Sequence, residues 1–211
     1  MKTNGEMVAY LLGAGYADAR VADAMLSVDR GRFVPPGYQE HAYEDYPLPI
    51  GAGQTISAPS IVAIMSRELD VRPGMKILEV GAGSGYQAAI LAELAGAKGR
   101  VISVERLSEV AELAKRNLAQ FNFANLEVAY GDGTKGYPQE APYDRIIVTA
   151  AAPSIPKPLL EQLKDGGRML IPVGPSIWQD LILVEKRGGA VSQKSILPVM
   201  FVPLVGEYGF R

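Results

Sequence analysis

The chain of 211 residues contains no cysteine, and this absence removes several kinds of chemistry at once. Disulfide bonds, thiolate nucleophiles and cysteine-based zinc sites are all excluded. The single histidine, His41, cannot form a histidine pair for a metal or for catalysis within one chain, and its acidic neighbours indicate an exposed loop residue. We therefore expect no metal site.

A strong charge and a long apolar run are also missing. The 21 basic and 23 acidic residues give a formal net charge of −2, so the chain lacks the basic surface of proteins that bind nucleic acid or anionic membranes. No apolar run approaches the roughly 20 residues of a membrane span, and the first residues lack the apolar segment of a signal peptide. With 48% hydrophobic residues, the chain can bury a full core. We expect a cytoplasmic, single-domain monomer.

Residues 1–70 are predicted to form short helices and a segment that binds substrate. The apolar spacing between Thr3 and Val28 predicts two short helices. Residues 33–60 are rich in proline and glycine, which predicts a packed loop region. A further helix is expected at SAPSIVAIMSREL, where Ser57 can act as the N-cap and Pro59 fits the first turn.

Residues 71–175 alternate short apolar strands with helical segments. The strands are KILEV, RVISVE, LEVAY, DRIIVTA and RMLIPV, and the helices are YQAAILAELA, LSEVAELAKRNLAQF and PKPLLEQL, the last ended by residues 165–167. This alternation predicts an α/β fold with a doubly wound, mostly parallel sheet. Residues 176–211 add DLILVEK and SILPVMFVPLV, joined by the turn RGGA, which predict a closing antiparallel strand pair.

The segment KILEVGAGSGYQ places Gly81, Gly83 and Gly85 between a strand and a helix. Such a turn presents backbone N–H groups and a helix N-terminus to a ligand at the carboxyl edge of an α/β sheet. A tight turn that only needs positive φ would also explain the glycines. Glu105 closes the next strand, where a carboxylate can accept hydrogen bonds from both ribose hydroxyls of a nucleoside. The pair of features favours a cofactor site.

A dinucleotide is the main competing ligand for this turn. Its fingerprint is G-x-G-x-x-G, whereas this chain has Tyr86 in place of the third glycine. Glu79, in the strand before the turn, would repel a pyrophosphate but suits a cationic ligand. S-adenosylmethionine combines a sulfonium, an ammonium, ribose hydroxyls and adenine without a phosphate. Asp132 follows the third strand, at the same carboxyl edge of the sheet. S-adenosylmethionine therefore fits Glu79, Glu105 and Asp132 together.

Several longer segments resemble the protein-L-isoaspartate O-methyltransferase family, which repairs damaged aspartyl and asparaginyl sites. They are AYEDYPLPIGAGQTISAP, LEVGAGSGYQAAILAEL, GDGTKGYPQEAPYDRIIVTAAAPSIPKPLLEQLKDGGRMLIPVG and FVPLVG. The resemblance implies a Rossmann-like methyltransferase fold with N-terminal helices and a C-terminal segment over the substrate cleft. It also implies S-adenosylmethionine as cofactor, S-adenosylhomocysteine as product, and the α-carboxylate of L-isoaspartyl residues in peptides and proteins as methyl acceptor.

The same resemblance implies roles for individual residues. The cofactor would be bound by Glu79, Gly81, Gly83 and Ser84 at its methionine part, by Glu105 at its ribose, and by Asp132 and Gly133 at its adenine. The substrate would be bound by Thr55, Ile56, Ser57 and Ala58 on one side and by Val202, Pro203 and Leu204 on the other. Thr55 and Ser57 would be the catalytic hydroxyls. Ser60 departs from the family pattern, in which many relatives carry His or Tyr.

These residue types suit a carboxylate as methyl acceptor. A carboxylate with a pKa of about 4 is ionised at neutral pH and needs no general base, which agrees with a chain that has one histidine. Hydroxyls can orient the acceptor without protonating it. Two other functions stay open: a methyltransferase of this fold that acts on a small molecule, and a non-catalytic protein that binds S-adenosylmethionine to recognise a partner.

Overall fold

The computed structural model describes all 211 residues. Two helices open the chain as predicted, α1 (Asn4–Gly13) and α2 (Ala19–Ser27). The side chains of Thr3 and Asp18 are their N-caps, because each accepts a hydrogen bond from the backbone N–H three residues ahead. None of the helices in the molecule is both long enough and apolar enough to pass through a membrane.

The predicted loop region contains more regular structure than its composition indicated. Two short 3₁₀ helices, Arg30–Phe33 and Pro36–His41, precede a small antiparallel hairpin formed by β1 (Leu48–Gly51) and β2 (Gln54–Ile56). The turn between these strands has positive φ at residues 51–53. Strands of three and four residues are too short for a period of two to stand out in the sequence.

Helix α3 (Pro59–Leu69) begins differently from the prediction. Ser57 is not its N-cap: Ala58 occupies that position and makes no side-chain hydrogen bond. The backbone N–H of Ser60 instead donates to Oδ1 of Asp45 at 2.8 Å. Because Asp45 is 15 positions earlier in the chain, local sequence could not reveal this cap. Ser57 is left without a role in starting the helix.

Removing the Asp45 carboxylate should lower stability. We expect Asp45→Ala to reduce the free energy of unfolding by about 1 kcal/mol, because the first turn of α3 loses its cap. Ser57→Ala is the matched control and should change it by less than about 0.5 kcal/mol. Urea denaturation of both variants measures the two values. A greater loss in Ser57→Ala than in Asp45→Ala would contradict the assigned cap.

The rest of the chain builds a seven-stranded sheet. Its elements are β3 (Lys76–Val80), α4 (Tyr86–Ala95), β4 (Arg100–Glu105), α5 (Ser108–Leu118), β5 (Leu126–Tyr130), β6 (Tyr143–Val148), α6 (Lys157–Gln162), β7 (Leu163–Val173), β8 (Gln179–Arg187) and β9 (Ala190–Val199). The strand order is β5-β4-β3-β6-β7-β8-β9. The first five strands in this order, β5, β4, β3, β6 and β7, are parallel to one another. Strand β8 is antiparallel to β7, and β9 is antiparallel to β8. The predicted fold class and closing strand pair are confirmed.

Two predicted boundaries in this part are wrong. The helix at PKPLLEQL already ends at Gln162, and Leu163 starts β7, so residues 165–167 lie in a strand. The last strand begins earlier than predicted and ends at Val199, because its pairing partner β8 begins at Gln179, directly opposite. Residues from 200 onward therefore leave the sheet, which frees them to reach the edge where the parallel strands end.

The central strands of the sheet are buried on both faces, and the N-terminal helices cover one of them. Alternate residues of β3 show this, since Ile77 belongs to a buried cluster of 34 residues and Leu78 to a separate cluster of 15. The larger cluster also contains apolar side chains of α1, α2, α3 and α4. This packing fixes the hairpin and the start of α3 relative to the sheet.

Candidate active site

A cleft lies at the carboxyl edge of the parallel strands, at the point where the strand order reverses. There β3 has β4 on one side and β6 on the other, and open α/β sheets bind ligands at such a point. The cleft encloses about 930 Å³, part of which is open to solvent. Its lining residues fall within 54–65, 80–107, 133–150 and 202–205. Four distant parts of the chain therefore meet at one site.

Most of the residues that the sequence predicted for the site line this cleft. They are Thr55, Ile56, Ser57, Gly81, Gly83, Ser84, Glu105, Gly133, Val202, Pro203 and Leu204. Three predicted residues are not part of the lining. Ala58 is the N-cap of α3, Glu79 is fully buried in β3, and the Asp132 carboxylate is bound by other parts of the protein.

The glycine turn begins where β3 and β6 end side by side. Gly81 has a φ of +97°, and the hydroxyl of Thr149 donates to its carbonyl oxygen at 2.6 Å. A Cβ at Gly81 would overlap Thr149 Oγ1. Only glycine satisfies both the positive φ and this close approach. Glycine at position 81 is therefore required by the backbone conformation, whether or not a ligand binds at the turn.

Glu105 is held rigidly at the wall of the cleft. The backbone N–H of Gly83 donates to its Oε2 at 3.1 Å, and that of Leu107 donates to its Oε1 at 3.0 Å. Each carboxylate oxygen has a second lone pair, so the side chain can still accept hydrogen bonds from two hydroxyls. This geometry fits the ribose contact predicted from the sequence.

Glu79 is a buried carboxylate with an unused oxygen. Its Oε2 accepts a hydrogen bond from Ser103, while Oε1 has no partner. Burial raises the pKa of Glu79 to about 8, against the effect of the Ser103 hydrogen bond and with a further contribution from the charge of Glu105. A buried carboxylate without a partner is unfavourable unless it is protonated or a cation compensates it. The unpaired oxygen therefore fits a cationic ligand in the adjacent turn.

The segment from Thr55 to Ser57 presents two hydroxyls at the other side of the cleft. Ile56 between them is buried and anchors the segment in the core. The neighbouring hydrogen bonds, from Gln54 to Ala52 and from Ser60 to Asp45, leave both hydroxyls available to a ligand. Thr55 is exposed and Ser57, which follows the end of β2, is half-buried, so all three residues border the cleft while only Ile56 is part of the core.

The segment Val202–Phe210, which we call the strap, forms the last wall. It is joined to the residues after β6, since Ala151 N–H donates to Val202 O at 2.8 Å and Leu204 N–H donates to Ala151 O at 2.7 Å. These bonds extend the sheet edge and bring Val202 and Leu204 to the cleft. The predicted strand at SILPVMFVPLV is therefore replaced here by a segment that crosses the sheet edge.

Asp132, predicted to contact adenine, is engaged with Thr134 and with the strap. Its Oδ1 accepts hydrogen bonds from the backbone and hydroxyl of Thr134 at 2.9 and 2.6 Å, and its Oδ2 accepts from Glu207 N–H at 2.9 Å. Burial favours a higher pKa, but the hydrogen bonds from Glu207 and Thr134 outweigh it and lower the pKa of Asp132. One lone pair remains for a ligand. Gly133, which lines the cleft, is adjacent.

Sequence reasoning missed a tyrosine and two arginines around the site. Tyr86, the first residue of α4, lines the cleft, and its ring lies 5.4 Å from the buried guanidinium of Arg30. Arg30 donates from Nε to Ala42 O, but its other two nitrogens have no partner, and burial lowers its pKa to about 10. Arg106 also lines the cleft. Tyr86 directly follows Gly85 and Arg106 directly follows Glu105, so their positions could have indicated a place at the site. Nothing in the sequence around Arg30 indicates one.

The geometry agrees with what comparison with known proteins finds. The family model for protein-L-isoaspartate(D-aspartate) O-methyltransferase matches residues 2–209. The chain belongs to this family. A protein-L-isoaspartate O-methyltransferase of Methanopyrus kandleri is 56% identical over 208 residues, which cover 97% of this chain and 92% of that protein. Protein-L-isoaspartate O-methyltransferase 2 of Archaeoglobus fulgidus is 58% identical over 193 residues, or 91% and 88% of the two chains.

Solved protein-L-isoaspartate O-methyltransferases share the whole fold. One matches with a TM-score of 0.88 and 31% identity, covering 98% of this chain and 67% of its own. A beta-aspartate methyltransferase from Plasmodium falciparum, solved in complex with S-adenosyl-L-homocysteine, matches with a TM-score of 0.88 and 26% identity over 97% and 99% of the two chains. These matches confirm the predicted family, the fold and the methyltransferase activity.

Proposed function

We propose that the cleft binds S-adenosylmethionine and an L-isoaspartyl peptide together and directs the methyl group to the peptide's α-carboxylate. The observation that carries this assignment is that the glycine turn, Glu105 and the Thr55–Ser57 segment line a single cavity. Family membership supports the reaction. The relative solved with S-adenosyl-L-homocysteine supports the cofactor and its product.

S-adenosylmethionine, when bound, supplies an electrophilic methyl group on a sulfonium. Glu79 would compensate positive charge on the methionine part, and Gly81, Gly83 and Ser84 would surround that part with backbone groups. Glu105 would accept hydrogen bonds from the ribose hydroxyls, because its own donors hold it in place. Asp132 and Gly133 would meet the adenine. The residues present fit a cationic nucleoside and offer no basic side chain in the turn for a phosphate.

Thr55 and Ser57 would hold the isoaspartyl carboxylate in line with the methyl group. Alignment of this kind can lower a barrier by roughly 7–11 kcal/mol in favourable systems. The acceptor loses its negative charge during the transfer, so a tightly bound cation would oppose the reaction. Arg106 is the only basic residue in the lining, and it is exposed beside Glu105 on the cofactor side. The hydroxyls therefore orient the acceptor without neutralising it.

Apolar side chains complete the environment of the reacting groups. Ile56, Ile61 and Met65 line the cleft on the side of the N-terminal segment. They exclude water from a reaction between opposite charges that disappear in the transition state, which favours transfer in a pocket of low polarity. The neighbouring backbone nitrogen then attacks the carbonyl carbon of the resulting methyl ester, which closes a succinimide and releases methanol. Hydrolysis of that succinimide returns part of the normal aspartyl linkage, so the reaction starts a repair.

The proposal is tested by transfer of labelled methyl groups from S-adenosylmethionine to two synthetic peptides. The peptides are identical except that one has an L-isoaspartyl and the other an L-aspartyl linkage. We expect base-labile label on the isoaspartyl peptide alone. Label on neither peptide, with binding of S-adenosylhomocysteine shown by calorimetry, would reject the peptide substrate. It would favour a small-molecule acceptor or a non-catalytic binding protein instead.

Ser57→Ala should separate catalysis from cofactor binding. We expect kcat/KM for the isoaspartyl peptide to fall by about 10- to 100-fold, because a hydrogen bond to a charged group contributes roughly 1.5–3 kcal/mol. The Kd for S-adenosylhomocysteine should change less than about twofold. Ser60→Ala is the matched control, since Ser60 does not line the cleft. An equal loss of cofactor binding in Ser57→Ala would mean that Ser57 supports the site as a whole.

We further propose that the chain acts as a single-domain monomer in the cytoplasm on isoaspartyl peptides and proteins, without a nucleic-acid or membrane partner. All walls of the cleft come from one chain, and the N-terminal helices share a buried cluster with the sheet. The net charge of −2 and the lack of cysteine agree with this assignment. Light scattering at micromolar concentration tests the monomer, and a dimer mass would overturn it.

A further inference from the structure

We propose that Asp132 and Thr134 are positioning residues for the peptide side of the reaction, because their hydrogen bonds hold the strap in place. The inference rests on the proposed function, in which the strap is a wall of the peptide-binding cleft. It assigns to Asp132 a role in addition to the adenine contact, and to Thr134 a role that the sequence did not indicate.

The strap has two anchors, one at its cleft-lining residues and one beyond them. The first anchor is the pair of backbone bonds between Ala151 and residues 202 and 204. The second lies on the far side of Val205, where the chain turns back on itself through hydrogen bonds from Phe210 N–H to Leu204 O and from Gly206 N–H to Phe210 O. Without the second anchor, residues 204–210 would be tied to the rest of the molecule only through the first and through the exposed ion pair between Glu207 and Lys135.

Asp132 and Thr134 supply the second anchor from the loop after β5. Asp132 accepts from Glu207 N–H at 2.9 Å, and the Thr134 hydroxyl accepts from Tyr208 N–H at 3.1 Å. The same hydroxyl donates to Asp132, so the two side chains form one connected unit. Thr134 is fully buried, which makes an unpaired hydroxyl or N–H at this position costly.

Two glycines show how closely the strap is seated. A Cβ at Gly206 would overlap Asp132 Oδ1 and lie 2.7 Å from Thr134 Cγ2. A Cβ at Gly209 would overlap Leu204 O and lie 3.2 Å from the same Thr134 methyl group. Neither glycine has positive φ, so this packing, rather than backbone conformation, explains them. The strap is therefore fitted to both residues by contact as well as by hydrogen bonds.

Leu204, buried at 6% exposure, connects this anchor to the cleft. It lines the cavity, and its carbonyl oxygen accepts from Phe210, which closes the turn held by Asp132 and Thr134. Loosening the turn would therefore displace Leu204 and Val205 at the cleft. The glycine turn and Glu105, which would hold most of the cofactor, are bonded to other elements and would keep their positions.

The test uses Thr134→Val, which keeps the side-chain volume but removes the hydroxyl, and Gly206→Ala, which pushes the strap away from Asp132. Two readouts are compared with wild type. Hydrogen exchange measured by mass spectrometry reports the strap directly over residues 200–211. Kinetics with the isoaspartyl peptide, and calorimetry with S-adenosylhomocysteine, separate peptide KM from cofactor Kd. Thr134→Ser is the conservative variant, and Lys135→Gln, which breaks an exposed ion pair with Glu207, is the surface control.

We expect Thr134→Val and Gly206→Ala to exchange faster in the strap and to raise the peptide KM at least about tenfold, with a smaller loss of cofactor affinity, because on the cofactor side only the contact of Asp132 with adenine is disturbed. Thr134→Ser and Lys135→Gln should resemble wild type. Unchanged exchange and KM would overturn the proposal, and so would a loss of cofactor affinity equal to the rise in KM. If wild type transfers no methyl group, the proposed function and the peptide role fail together, whereas the exchange data still decide what holds the strap.

Discussion

Gly81→Ala should weaken cofactor binding at least about 100-fold and destabilise the fold by about 2–5 kcal/mol. Two physical effects add in this variant. A residue with a Cβ costs roughly 1–2 kcal/mol in the left-handed region, and Gly81 has a φ of +97°. Overpacking costs a further 1–3 kcal/mol, because the new Cβ would overlap the Thr149 hydroxyl. The overlap is removed only if the glycine turn moves away from Thr149 at the end of β6. This movement displaces the groups that would surround the cofactor.

Gly83→Ala is the matched control for this prediction. Its φ of +55° carries the backbone cost, but the nearest atom to a new Cβ is Ile50 Cδ1 at an ordinary contact distance of 3.8 Å. The loss of stability should therefore be smaller, about 1–2 kcal/mol. Urea denaturation and titration with S-adenosylhomocysteine measure both effects. Equal destabilisation in the two variants would show that the close approach to Thr149 is not what requires glycine at position 81.

The stability of the ligand-free protein should contain a component from Glu79 that decreases as pH rises. The pKa of this carboxyl is raised from 4.5 to about 8 by burial, so the native state holds a proton that the unfolded chain has released. A group with a raised native pKa stabilises the fold fully below the unfolded value and loses this contribution as pH rises through the folded value. The window is therefore pH 4.5 to about 8. The slope can reach about 1.4 kcal/mol per pH unit.

Glu79→Gln isolates this contribution from all other titrating groups. The variant keeps the shape of the side chain but cannot ionise, so the difference between wild type and variant should change steadily between pH 5 and pH 8. Urea denaturation at pH 5, 6.5 and 8 gives that difference. A constant difference across these three values would mean that Glu79 is ionised in the native state throughout. Glu105 and Ser103 are the same in both proteins, so their own contributions cancel in the difference between the two free energies of unfolding.

The fold was predictable because its core repeats one pattern. Strands such as KILEV and RVISVE are buried on both faces, and the helices between them are of ordinary length, so local sequence indicates each element. The errors fall where tertiary contacts decide the structure. The cap of α3 comes from Asp45 in a distant loop, and the end of β9 is set by where its partner begins. Neither fact is present in the local sequence.

The lining of the cleft was predictable to a similar extent and for a similar reason. Glu105 ends a strand at the carboxyl edge, and Gly81 and Gly133 lie just after strands at the same edge, so sheet topology alone brings the three together. The substrate residues were placed by family resemblance, since nothing in a short hairpin predicts what it meets across a cleft. The engagement of Asp132 and Thr134 with the strap was missed, because their partners, Glu207 for Asp132 and Tyr208 for Thr134, lie more than seventy positions away.

The walls of the cleft are made at different times as the chain is synthesised. Every residue assigned to the cofactor lies before position 150, and so do Thr55 and Ser57, whereas the strap begins at Val202. A chain that stops at β9 contains the whole cofactor side but lacks the wall formed by residues 202–205. During translation, the ability to hold the cofactor can therefore arise before the ability to enclose a damaged peptide.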